Sequence, residues 1–240
     1  MKLDVVCRNF VGLMLFSCLP FTGCLSKTDK PVSENQPTPA PKITHTDSEK
    51  ESRDLPQATF LLNGEKMSGW QITDFGGHGP STVQDGEIKI EMGAELSGIN
   101  WTNADVLPKM NYEIELDAMK LEGSDFFCGL TMPFSNSYCS LIVGGWGGGI
   151  VGISSINGAD ASENDSTRNL YFEKNRWYHI RVQVTPQKIT AWIDQDKVID
   201  LEILGRRISM RGGEIERSIP LGIATWQTTA AVKNIRLKTI

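Results

Sequence analysis

Segments of helical periodicity are scarce in this 240-residue chain, which argues against a parallel α/β fold and its crossover helices. Histidine is nearly missing as well: His45, His78 and His179 are the only three, and no HExxH, close histidine pair or CxxC occurs. A catalytic transition-metal centre is therefore not expected. There is no GxSxG elbow for a serine nucleophile. The glycine-rich stretch Phe75–Gly79 lacks the GxGxxG spacing and the following helix of a dinucleotide site. Positive charge is dispersed over a chain of net charge -5, and the basic stretch Gly205–Gly213 is short and bounded by glycines, so no nucleic-acid partner is expected. Finally, the apolar run Phe10–Leu19 falls far short of the roughly 20 residues that span a bilayer.

What is present is strand alternation. Tyr178–Val184 places Ile180, Val182 and Val184 on one face and His179, Arg181 and Gln183 on the other. Lys188–Asp194 repeats the pattern after a Thr185-Pro186-Gln187 turn, and a second tight turn at Gln195-Asp196 leads into Lys197–Leu201. Asn111–Lys120 alternates most clearly, with Tyr112, Ile114, Leu116 and Ala118 opposite Glu113, Glu115 and Asp117. Further strands are expected over Phe60–Leu62, Trp70–Ile72, Glu87–Met92, Ser97–Trp101, Ile150–Ile153, Leu221–Trp226 and Ala231–Lys238, and a hairpin over Phe126–Val143. Many short strands with Gly and Asn turns predict an all-β, two-sheet antiparallel sandwich, with a closed barrel as the alternative. The closing strand is expected beside the first, around Phe60, where it would protect a terminal edge.

Ahead of that domain the chain changes character twice. Residues 1–24 read as an export signal, and Phe21-Thr22-Gly23-Cys24 resembles the bacterial lipoprotein cleavage site, with Phe21 where leucine is usual. Lipid on Cys24 would anchor the protein to a membrane of the bacterial cell envelope, at the outer membrane or facing the periplasm. Residues 25–57 carry Pro31, Pro37, Pro39, Pro41 and Pro56 among small polar and charged residues, and are expected to form a flexible tether. The folded domain is expected over 58–240. Of the five cysteines, only Cys128 and Cys139 lie in that domain. They form one disulfide or remain a buried unpaired pair, depending on hairpin register.

Several residues attract a functional reading. Glu113 and Glu115 have the two-residue spacing of paired carboxylates used in glycoside hydrolysis, although such a row is also the ordinary solvated face of a strand. The polar loop Ser154–Asn169 concentrates Asp160, Glu163, Asn164, Asp165 and Arg168, which suit sugar hydroxyls; an oxygen-rich loop could also hold calcium, although its spacing is not that of an EF-hand. Trp146 in its glycine loop Gly144–Gly149 either stacks on a sugar or plugs the end of the sandwich. Trp192, with His179 and Arg181, lines a groove if its sheet face is concave and forms a cross-strand cluster if it is convex.

The segment Phe60-Leu61-Leu62-Asn63-Gly64 through Ser68-Gly69-Trp70 resembles the opening of the 3-keto-disaccharide hydrolase domain family. Asn175–Asp200 resembles its middle segment, and Pro220–Ile223 with Val232–Lys238 its closing signature. The resemblance implies a concanavalin A-like jelly roll, export from bacteria, and cleavage of the glycosidic bond of a 3-keto-disaccharide by hydrolysis or elimination. Because the 3-keto group acidifies the neighbouring carbon-2 proton, a general base and a polarising group would be needed. The family's NSG-containing central segment is replaced here by Phe126–Gly152 and the polar loop. Two readings follow. One is an enzyme with Glu113, Glu115 or His179 moving protons and Trp146, Asp160, Glu163, Asn164, Arg181 and Trp192 holding substrate. The other is a noncatalytic glycan-binding module of the envelope; a purely structural envelope protein comes third.

Overall fold

The structure, a computed structural model, describes residues 59–62 and 66–240. The expected signal segment, Cys24 and the tether lie outside the described residues. Among the described residues fifteen strands follow one another: β1 Thr59–Phe60, β2 Trp70–Ile72, β3 Ser81–Gln84, β4 Glu87–Ile90, β5 Leu96–Trp101, β6 Tyr112–Gly123, β7 Cys128–Phe134 and β8 Ser137–Gly145 come first. Then come β9 Ile150–Ser154, β10 Arg168–Asn169, β11 Trp177–Val184, β12 Lys188–Ile193, β13 Asp196–Glu202, β14 Gly222–Trp226 and β15 Thr228–Thr239. All pairings are antiparallel and divide the strands between two sheets. One has eight strands, in the order β13-β12-β11-β6-β15-β4-β3 with β1 on β15; the other has seven, in the order β10-β9-β8-β7-β14-β5-β2. This is the two-sheet antiparallel sandwich that the alternation predicts, in the jelly-roll form that the family resemblance implies.

The core lies between the inner faces. Ile114, Leu116 and Ala118 of β6 and Ile180, Val182 and Val184 of β11 meet Leu130 and Met132 of β7, Leu141 and Val143 of β8, and Ile223 of β14, all fully buried. Each Leu, Ile, Val or Met side chain among them contributes about 1.5–3 kcal/mol by leaving water. The first and last strands pair as expected, with Thr59 opposite Leu237 and Phe60 opposite Arg236.

Local chemistry sets the turns. Asp85 and Gly86 both take positive φ, 52° and 77°, which suits the tight hairpin joining β3 to β4. Strand β3 is absent from the sequence expectations, because Ser-Thr-Val-Gln has one apolar residue and no alternation to read. In β15 the register shifts between Lys233 and Arg236, with Asn234 at φ 53°, which accounts for the imperfect alternation of that strand. The hairpin register also decides the cysteines. Cys128 pairs with Val143 and Cys139 with Met132, so the two thiols point into the core from positions four residues apart along the ladder and remain free.

Candidate functional site

The seven-stranded sheet is covered on both faces. Between its core-facing residues, Gly129 and Thr131 of β7, Ser140 and Ile142 of β8, Ser154 of β9, Gly98 of β5 and Ala224 of β14 turn outward. Phe75, Leu96 and Ala224 form a second buried cluster there, with Phe126, Ile215 and Trp226 packed on it. Two glycines make this possible. A Cβ on Gly129 would stand 3.0 Å from the Phe126 ring and one on Gly98 would stand 3.1 Å from the Phe75 ring, so both rings lie against bare backbone. The single turn of 3-10 helix Glu214–Ser218 is fastened over the same face. Ser218 and Thr131 share a hydroxyl hydrogen bond of 2.6 Å, Thr131 and Ser140 another of 2.9 Å, and Ser218 also donates to the Ile215 carbonyl at 2.6 Å.

On this floor opens a cleft of about 400 Å³. Phe126, Trp146 and Trp226 are the aromatic side chains of its walls, and Glu95, Asp125, Asp160, Glu214 and Arg211 supply charge. Each charged group has a definite setting. Asp125 is held by two backbone donors, Phe126 N–H to Oδ1 at 2.8 Å and Gly147 N–H to Oδ2 at 3.0 Å. It thereby ties the end of the hairpin to the glycine loop, where Trp146 stands 43% exposed with φ 49°, a left-handed backbone that a bulky residue rarely adopts. Asp160 accepts from the Ser154 hydroxyl and, at 2.8 Å, the Ala161 N–H, while its other oxygen lies 2.6 Å from Arg211. Glu214 is paired with Arg217 at 3.0 Å. Glu95, just before β5 and joined to Gln227 through its backbone carbonyl, has a carboxylate with no partner among the described residues.

A second cavity, about 500 Å³, adjoins the first. Asp160, Arg211 and Gly212 line both, while Ser155, Glu163, Arg207 and Ser209 belong to the second alone. The polar loop that forms its rim is folded on itself. Asn164 donates its amide to the carbonyls of Ile153 at 2.8 Å and Asp160 at 2.6 Å, and accepts from Ser166. Asp165 pairs with Arg206 at 2.6 Å, and this hydrogen-bonded cation holds its carboxyl below the usual range.

Of the residues singled out in the sequence, Trp146, Asp160 and Glu163 thus line the cavities, and Asn164 braces the loop behind them. Asp165 stays in the same loop and Arg168 lies in β10 at the edge of the seven-stranded sheet, while the remaining five lie on the other sheet. Glu113, Glu115, His179, Arg181 and Trp192 occupy the outer face of the eight-stranded sheet and line neither cavity. The acidic row of β6 runs between basic residues of β11 and β15. Glu113, 4% exposed, pairs with Arg181 at 3.1 Å and Lys238 at 2.7 Å; Glu115 pairs with Arg236 at 3.2 Å. His179 Nδ1 lies 2.8 Å from Asp117, which also accepts from Asn234 at 2.6 Å. The Arg181 guanidinium covers the Trp192 ring at 3.8 Å, the geometry of a cross-strand cluster.

Among the described residues, no group of three or more His, Cys, Asp or Glu is placed to hold a metal ion. Glu95, Asp125, Glu214, Arg211, Phe126 and Trp226 are cleft residues that the sequence reading passed over. One signal pointed to them: β5, β7, β8 and β14 carry apolar or small residues on both faces, as strands do when both sides are covered.

A family model described as the 3-keto-alpha-glucoside-1,2-lyase-like domain matches residues 57–238. No curated protein matches the chain. Among solved structures, the chain is similar to a Crh5 transglycosylase in complex with NAG. The identity is 14%, the likeness covers 76% of this chain and 83% of that one, and the TM-score is 0.53, a likeness of fold. The carbohydrate binding module CBM66 from Bacillus subtilis is 16% identical over 71% of this chain and 96% of its own, with a TM-score of 0.49.

Proposed function

The chain belongs to the 3-keto-alpha-glucoside-1,2-lyase-like domain family, and on that premise we propose that the cleft on the outer face of its seven-stranded sheet binds a carbohydrate. The observation that carries this reading is the composition of the cleft, whose lining combines three aromatic side chains with five charged ones. A sugar ring has an apolar C–H face, which suits Trp146, Phe126 and Trp226, and a rim of hydroxyls, which donate to carboxylates and accept from a guanidinium. Asp160 and Arg211 form a fixed acceptor and donor for that rim. Glu95 adds a carboxylate that no group among the described residues occupies. The direct test is a glycan array probed with the full chain and with Trp146→Ala and Trp226→Ala. Binding that weakens tenfold or more in each variant supports the reading; undiminished binding in both removes it.

The free Glu95 carboxylate favours a second reading, elimination at a 3-keto-glycoside. Glu95 would take the carbon-2 proton acidified by the ketone to give the enolate, whose electron pair then forms the carbon 1–carbon 2 double bond as the bond from carbon 1 to the leaving oxygen breaks and that oxygen takes a proton from water. Arg211 is the cation available to steady the developing enolate oxygen. Glu95→Gln should then abolish release of the leaving sugar from 3-keto-disaccharides, read by mass spectrometry, while retaining their binding. Equal turnover by wild type and Glu95→Gln would sink this step. We also propose that the protein works outside the cytoplasm, anchored by lipid on Cys24. Labelled fatty acid should be incorporated by the wild type and lost in Cys24→Ala.

A further inference from the structure

The core face of β6 ends on a charge. Its inward positions run Leu116, Ala118 and Lys120, so a lysine takes the place of a core residue at the end of the sandwich, and only 6% of it is exposed. We propose that Lys120, beside the glycine loop between β8 and β9, binds a tetrahedral oxyanion, a phosphate or sulfate group, with Lys174 as the second cation of the site. This inference does not rest on the carbohydrate reading, and neither residue lines the two cavities.

Lys120 differs from the other lysines of the strands. Lys188, Lys197, Lys233 and Lys238, all more exposed, each lie 3.0 Å or less from a carboxylate. Lys120 has no carboxylate partner and no hydrogen bond to its ammonium among the described residues. A buried cation without a counter-ion costs stability. A local rule broken in this way, with no compensation inside the protein, is the mark of a site whose counter-ion comes from solution.

The surroundings suit an anion. The Phe127 ring, 6.0 Å from the ammonium, brings no formal charge. Gly148 leaves one side without a side chain, since even a Cβ there would stand 3.8 Å from Nζ. The Asn175 N–H donates to the Lys120 carbonyl at 2.8 Å, which brings the preceding Lys174 to the same end of the sandwich. Burial, and next the charge of Lys174, make the Lys120 ammonium easier to deprotonate, and no carboxylate acts against them. A doubly charged oxyanion between the two ammonium groups replaces their repulsion with two attractions. A free ion and a phosphorylated molecule both offer that chemistry.

The test follows thermal unfolding of the full chain near neutral pH in sodium phosphate, sodium sulfate, glycerol 1-phosphate and sodium chloride at matched ionic strength. The proposal expects phosphate or sulfate to raise the melting temperature by about 3–6 °C at about ten times its dissociation constant. Lys120→Met should show no such rise, and Lys174→Gln a smaller one. A rise with glycerol 1-phosphate as well supports a site for phosphate esters; a rise with the inorganic anions alone supports a site for the free ion. An equal rise in chloride, or an undiminished one in Lys120→Met, is a general salt effect and overturns the site. So does a wild-type melting temperature that none of the four salts moves.

Discussion

The Asp125 carboxylate bridges two backbone amides, those of Phe126 and Gly147, and so sets the spacing between two of the aromatic walls of the cleft. Asp125→Ala should free the Trp146 loop and lower glycan affinity about five- to tenfold, since ordering a loose aromatic side chain on binding costs about 0.5–1.5 kcal/mol and the loop adds to it. Asp125→Asn keeps one acceptor oxygen and should retain most of the affinity. Calorimetry on the three proteins separates these outcomes.

Glu113 should matter to stability rather than to the ligand. It is buried beneath Arg181 and Lys238, and its removal leaves two cations facing each other across β6. Breaking a fully buried pair costs about 3–5 kcal/mol; because both cations are about one-third exposed, a smaller loss, about 2–3 kcal/mol, is expected for Glu113→Ala. Urea unfolding measures it, and glycan affinity at a temperature where the variant is folded should not change.

The cysteines should behave as inert thiols. Burial pushes both Cys128 and Cys139 up to about 12. The folded state therefore holds their protons longer than the unfolded chain, whose thiols titrate near ~8.5. This contribution to stability is complete below that value and is lost as pH rises from there toward the folded value. A thiol reagent should react with neither residue in the native protein and with both in denaturant, and a reductant should not shift the melting temperature.

Lys120 offers a stabilising substitution. Only 6% of it is exposed, it has no carboxylate partner among the described residues, and the Phe127 ring lies 6.0 Å from its ammonium. Burial, and next the charge of Lys174, lower its pKa. With the folded value below the unfolded one, unfolding takes up a proton between the two, so this site opposes folding most when charged and less as pH rises through that window. Lys120→Met should raise stability by about 1 kcal/mol near neutral pH, as when other buried charges are replaced by apolar side chains of similar volume.

The sheet that alternates cleanly was legible in the sequence because one of its faces is solvated. β6 and β11 place every second residue in the core and every other in an ion-pair row, and the pattern shows both. The same clarity drew attention to Glu113, Glu115 and His179, although an alternating charged row marks the face with nothing over it. The sheet that carries the cleft has apolar or small residues on both sides, because the segments around Phe75, Phe126 and Ile215 cover its outer face. Its strands show no period of two that would separate floor from core. The cleft is also assembled from distant positions, Glu95, Asp125, Asp160 and Arg211, which only the strand order brings together.

The most direct measurement sets one sheet face against the other: calorimetric affinity of the full chain for its best array ligand, compared with Trp146→Ala, Trp226→Ala and Trp192→Ala. A cleft on the seven-stranded sheet predicts at least tenfold weaker binding for the first two and an unchanged constant for Trp192→Ala. Full binding by Trp146→Ala and Trp226→Ala with loss in Trp192→Ala would contradict it and put the ligand on the eight-stranded sheet.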